Sequence, residues 1–167
     1  MATRTIYLVC YRNSSSQRAL FAIFVPSAAD PFEGTLIHAV GAPMVGYVLE
    51  FKRNYSPVLT HRRHEIFPIG QVDPSNIVDS VDEAETKDST PRGNIEIAAS
   101  QVPTPGINQN FMAPVNDTTN KRCQEWTMDF VRHLVFKCLI AAEAIQIVQS
   151  KRDPPSHGIG LQAAGKR

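Results

Sequence analysis

Apolar and polar residues alternate in short blocks through the first half of the chain. The blocks are residues 5–11 (TIYLVCY), 19–25 (ALFAIFV), 35–40 (TLIHAV) and 46–51 (GYVLEF), rich in β-branched and aromatic side chains. Clusters of Ser, Pro, Gly and Asp separate them, so they read as successive antiparallel strands, and residues 66–72 read as a fifth. From 73 to 120 large apolar residues thin out and prolines multiply, which predicts mostly loop, with short helices near 74–78 and 95–100. The period then changes. In residues 121–140, Cys123, Trp126, Phe130 and Leu134, and again Met128, Val131, Val135 and Cys138, recur at helical spacing. Thr118, Thr119 and Asn120 are candidate caps, which places Cys123 in the first turn. A further helix over 141–150 precedes the stop at KRDPP. The expected fold class is α+β, an antiparallel sheet of about five strands packed against helices. One domain is expected over 1–155, with a loosely held tail over 156–167.

Composition narrows the functional classes. The 167 residues are 43% hydrophobic, and 17 basic residues stand against 16 acidic ones, a balance that gives no electrostatic footprint for nucleic acid. No apolar run is long enough for a membrane span, and the run near the N-terminus is too short for a signal peptide, so a cytoplasmic protein is expected. The three cysteines, Cys10, Cys123 and Cys138, are widely spaced, which argues against a disulfide framework and a zinc site. No cofactor is expected, because dinucleotide and phosphate-loop motifs are missing. The acidic stretch 79–88 reads as a solvated, mobile loop, and EFKRNY (50–55) as a solvated strand end that blunts pairing with other chains.

A cysteine in a first helical turn lies in the positive field of the helix, near unpaired N–H groups, with Lys121 and Arg122 beside it. That setting favours thiolate and suits a nucleophile with an oxyanion site. The competing reading is a small apolar core residue. A thiol enzyme also needs a base. His133 is too far along the same helix, His61 and His64 sit in a charged cluster, and His157 stands in a Pro/Gly-rich tail. His38 interrupts an apolar strand whose alternation puts Leu36, His38 and Val40 on one face, where it is either a satisfied core histidine or a partner of Cys123.

The order GTLIHAVG, GYVLEFKRNY, a proline-rich loop, RCQEWTMDFVRHLV and QSKRDPPSHGIG resembles a group of uncharacterised fungal proteins. That group is in turn similar to the circularly permuted NlpC-type papain-like fold of lecithin:retinol acyltransferase. The resemblance implies that Cys123-Gln124-Glu125-Trp126 occupies the nucleophile position of that family, with Arg122 in place of its asparagine. It also implies a departure, since the position of the family's catalytic histidine holds Leu20. From this follow the expected catalytic residues, Cys123 with His38 as surrogate base, and a substrate-binding lining of Leu20, Phe21, Tyr47, Glu125 and Trp126. The implied function is cysteine-dependent acyl transfer on an ester, thioester or amide. The alternatives are a divergent member that binds, cyclises or isomerises a hydrophobic small molecule in fungal secondary metabolism, and a non-catalytic interaction module. The expected partner is a hydrophobic small molecule; the oligomeric state stays open.

Overall fold

In a computed structural model, residues 2–60, 62–81, 84–108 and 112–159 are described. The alternating blocks form strands β1 (Arg4–Tyr11), β2 (Leu20–Pro26), β3 (Gly34–Ala42), β4 (Gly46–Tyr55) and β5 (His64–Val72), and β6 (Thr86–Asp88) adds a short sixth. They make one antiparallel sheet in the order β5-β1-β2-β3-β4-β6. Helices α1 (Gly93–Ser100), α2 (Cys123–Phe136) and α3 (Glu143–Lys151) pack against it, so the fold is α+β, as expected. The residues near 74–78 form only a single 3-10 turn, Pro74–Asn76.

The period-2 pattern sorts side chains onto two faces of the sheet. Ile6, Leu8, Phe21, Ile23, Ile37, Ala39 and Phe51 join Trp126, Met128, Phe130, Leu134 and Val148 in the main core. Val9, Tyr11, Ala22, Phe24, Leu36 and Tyr55 form a smaller cluster on the opposite face. There the Tyr11 and Tyr55 hydroxyls meet at 2.8 Å, and Arg62 lies over the Tyr11 ring at 4.5 Å.

Three expectations are corrected. The helical spacing carried α2 on to residue 140, but it ends at Phe136. Cys138 takes a left-handed conformation (φ 61°), and the N–H groups of Cys138 and Leu139 bond to the carbonyls of Val135 and Leu134, which closes the helix in a Schellman turn. EFKRNY is not a solvated edge. Arg53 is 1% exposed and bonds through both terminal nitrogens to Glu96 (2.9 and 2.8 Å) and through Nε to Asp88 (2.9 Å), while β6 pairs with β4. The stretch 79–88 is also engaged, since Asp79 bonds to Arg4 and residues 86–88 form β6. Within the expected loose tail, Gly158 abuts Arg18 and Ile159 is buried; residues 160–167 lie outside the described part, as does His61.

One irregularity interrupts the sheet at its middle. The β2–β3 ladder stops at Ile23↔Ile37, although β2 runs on to Leu20 and β3 to Ala42. The sheet is therefore split between its two middle strands at one end, and the N-terminus of α2 lies in the split.

Candidate functional site

Backbone groups stranded by a split sheet need other partners, because a buried, unsatisfied N–H or C=O costs about 1–3 kcal/mol. On the β2 side the start of α2 and the segment after α3 supply them. The Ala19 carbonyl accepts from Gln124 Nε2 at 2.9 Å and from the Cys123 thiol at 3.9 Å, and the Ala19 N–H donates to Asp153 at 2.9 Å. The backbone N–H groups of Phe21 and Gln124 act to lower the Cys123 thiol pKa. On the other side, Tyr47 directs its N–H away from β3, to the Pro105 carbonyl at 2.8 Å. Tyr47 pairs with Gly41, so by ladder alternation the backbone of Gly41 also points away from β4, into the gap.

The result is an open cleft of about 280 Å³ at this end of the sheet. Tyr11, Leu20, Gly41, Ala42, Pro43 and Tyr47 form its walls, Asn13 and Gln17 join them, and Arg18, Arg122 and Cys123 close the α2 end. Leu20 is 46% exposed there, whereas Cys123 at the floor is 5% exposed. Burial pushes the Cys123 thiol up to about 11; the Phe21 N–H and Arg18 pull the other way without offsetting it. Burial likewise raises the Tyr47 phenol. Both shifts favour the protonated forms of the thiol and the phenol.

Beneath the cleft lies a buried polar network. Glu125 is fully buried and its carboxylate takes Arg18 (2.8 Å), Arg152 (3.0 Å) and the Arg122 N–H (2.9 Å). Gln124 bonds to Asp153 and to the Asp153 N–H, and Asp153 holds Arg12 at 2.8 Å. Burial alone would raise the Asp153 carboxyl, but hydrogen bonds from Arg12, the Ala19 N–H and Gln124 bring it below the usual range. The Gln and Glu of CQEW thus tie the β1–β2 connection to the starts and ends of two helices.

The expected site residues separate accordingly. Cys123, Leu20 and Tyr47 meet in the cleft. Phe21 and Trp126 are core residues; Trp126 stacks on Phe130 (5.3 Å between ring centroids) and donates to the Val102 carbonyl. Glu125 supports Arg18 from behind the wall. The structure does not bring His38 to Cys123. It lies between Ile37 and Ala39, whose side chains face the helices, so its own side chain is on the opposite face, bonded to Glu50 at 2.9 Å. Burial lowers its pKa, with Lys52 and Arg62 acting in the same direction against Glu50. No histidine lines the cleft among the described residues. His133 bonds to Gln101, and His64 lies beside Tyr11. Sequence reasoning passed over Arg18 and Pro43, which only the folded chain brings beside Cys123.

Among the described residues, no group of three or more His, Cys, Asp or Glu is arranged to hold a metal ion, and no helix is long and apolar enough to cross a membrane. Neither a curated protein nor a solved structure gives a match to the chain. Residues 6–140 match the model of a family of unknown function, DUF6540, and with most of its length so matched the chain belongs to that family.

Proposed function

We propose that this protein binds a small organic molecule in the cleft at the β2–β3 split, with Cys123 as part of the floor rather than as a nucleophile. The observation that carries the reading is the condition of the thiol. It is nearly buried, bonds to the Ala19 carbonyl, is raised to about 11, and has no histidine beside it in the cleft among the described residues. The walls, by contrast, offer what a ligand needs, since partly exposed Leu20 stands with Tyr11, Pro43 and Tyr47 around a concave space. At about 280 Å³ that space lies near the lower end of the range of ligand clefts, which suits a small molecule.

A nuclear magnetic resonance screen of a small-fragment library against the full chain tests this. Hits should shift the Leu20, Gly41 and Tyr47 amides saturably, and substituting Ala42→Trp should abolish them. Hits scattered over other surfaces, or none at all, would overturn the reading.

A second reading, cysteine-dependent acyl transfer on a permuted papain-like scaffold, draws on two features. Cys123 starts a helix, where backbone N–H groups favour its thiolate, and the Nε2 of His157 is buried without a hydrogen-bond partner next to the cleft residue Gly158. It requires the segment after α3 to deliver that imidazole to the thiol. Trapping of an acyl group on Cys123, lost in both Cys123→Ala and His157→Ala, would establish it.

A further inference from the structure

The two middle strands border the cleft with backbone edges in different states. On the β2 side, the Ala19 carbonyl and N–H are taken by Gln124 and Asp153. On β3 the register fixes where the backbone points. The Tyr47 N–H leaves for the Pro105 carbonyl, so Tyr47↔Gly41, and by alternation Leu49↔Ala39 and Phe51↔Ile37, are pairs whose backbone groups point away from each other. Ile37, Ala39 and Gly41 therefore direct N–H and C=O toward β2. Ile37 meets Ile23 there, the last pair of the ladder. Gly41 lies past the ladder's end, is exposed, lines the cleft, and among the described residues has no hydrogen bond outside the strand ladders. A donor and an acceptor on one residue, aimed the same way, are what an antiparallel neighbour needs. Side chains around the gap keep the strand alternation. Leu20 and Val48 are exposed and Val40 half-buried on the face away from the helices, while Tyr47 and Cys123 line the cleft on the helix side, where Gly41 adds no side chain.

We propose that the ligand of this cleft is a short extended peptide, one residue of which pairs with the N–H and C=O of Gly41 as an added antiparallel strand. The inference rests on the ligand-binding reading above and adds the chemical class. Main-chain bonds to Gly41 hold the peptide, and its alternate side chains select it. The pairing residue turns its side chain to the floor, beside Tyr47 and Cys123, where a small one fits. Its two neighbours turn theirs to the open apolar side of Leu20, Val40 and Val48. β2 contributes Leu20 to this contact rather than the Ala19 backbone, which is already bonded.

Isothermal titration of the full chain with the methylamides of acetyl-Leu-Ala-Leu, acetyl-Val-Ala-Val and acetyl-Phe-Ala-Phe tests the proposal. At least one should bind, Ala42→Trp should abolish the binding, and the Gly41 amide proton should move downfield in the nuclear magnetic resonance spectrum of the complex. In that tripeptide, replacing the alanine N–H by an ester oxygen should weaken binding about fivefold, the worth of one hydrogen bond. The same replacement at the first residue, whose N–H points away from β3, should change it less than about twofold. Binding that survives Ala42→Trp, equal effects at the two ester positions, or an unmoved Gly41 amide would overturn the peptide proposal and leave the cleft reading to the fragment screen. Binding of no tripeptide while fragments occupy the cleft would overturn the peptide proposal alone; together with an empty fragment screen it would overturn both.

Discussion

Replacing Glu125 by Gln probes the support beneath the cleft. The carboxylate is fully buried and compensates Arg18 and Arg152, whose side chains are 7% and 11% exposed. Glutamine keeps the shape and one acceptor oxygen, so the perturbation is chiefly the lost negative charge. Breaking a buried ion pair from one side costs about 3–5 kcal/mol, because the remaining charge stays desolvated. About 3 kcal/mol is expected here, given the acceptor that glutamine retains. With a urea m-value of about 2 kcal/mol/M for a chain of this size, the unfolding midpoint should drop by about 1.5 M at unchanged slope. Asp117→Asn is the control: this acid also pairs with Arg152 but is half-exposed, so its loss should cost less than about 1 kcal/mol. Adding Arg18→Met to Glu125→Gln should recover part of the loss, since the pair then disappears from both sides. A midpoint shift below about 0.5 M for Glu125→Gln would refute the argument that this carboxylate neutralises the wall of the cleft.

Other consequences follow from the same physical reasoning. Cys138→Gly should stabilise the protein by about 0.5–1 kcal/mol, since glycine takes the left-handed position after α2 without strain, and thermal unfolding reads this directly. Arg53→Met leaves Glu96 buried without its cation and should cost about 3 kcal/mol or more by urea unfolding. The Asp153 carboxyl titrates below its unfolded value, so its contribution to stability is complete above about pH 4–5 and is lost as pH falls through the lower folded value. Stability measured between about pH 5 and 2 should therefore fall less steeply in Asp153→Asn than in the parent.

The strands were legible in the sequence because each carries a period-2 block bounded by turn residues, and α2 because its apolar positions recur at helical spacing. The end of α2 was not, since Cys138 continues the apolar spacing and only its backbone conformation marks the stop. Alternation placed Leu36 and His38 on one face but could not say which face meets the helices, and that question decides whether His38 reaches Cys123. Arg53 looked solvated within FKRNY because its partner Glu96 arrives from a helix far along the chain. The roles of Gln124 and Glu125 were hidden for the same reason: Arg18, Arg152 and Asp153 come from separate segments. The split of the β2–β3 ladder leaves no local mark, since residues 20–22 and 38–42 are ordinary strand sequence on both sides of it.

The state of the Cys123 thiol bears most directly on whether the cleft binds or reacts. Alkylation by iodoacetamide, resolved by site and followed across pH in the parent and in His38→Ala, measures it, with exposed Cys138 as the reactive control and Cys10, pushed up to about 12, as the buried one. Cys123 should react slowly at neutral pH, with an apparent pKa of about 11 and the same profile in His38→Ala. Fast alkylation of Cys123 near neutral pH, with an apparent pKa well below the ordinary thiol value of about 8.5, would contradict the account and return the cysteine to the role of nucleophile.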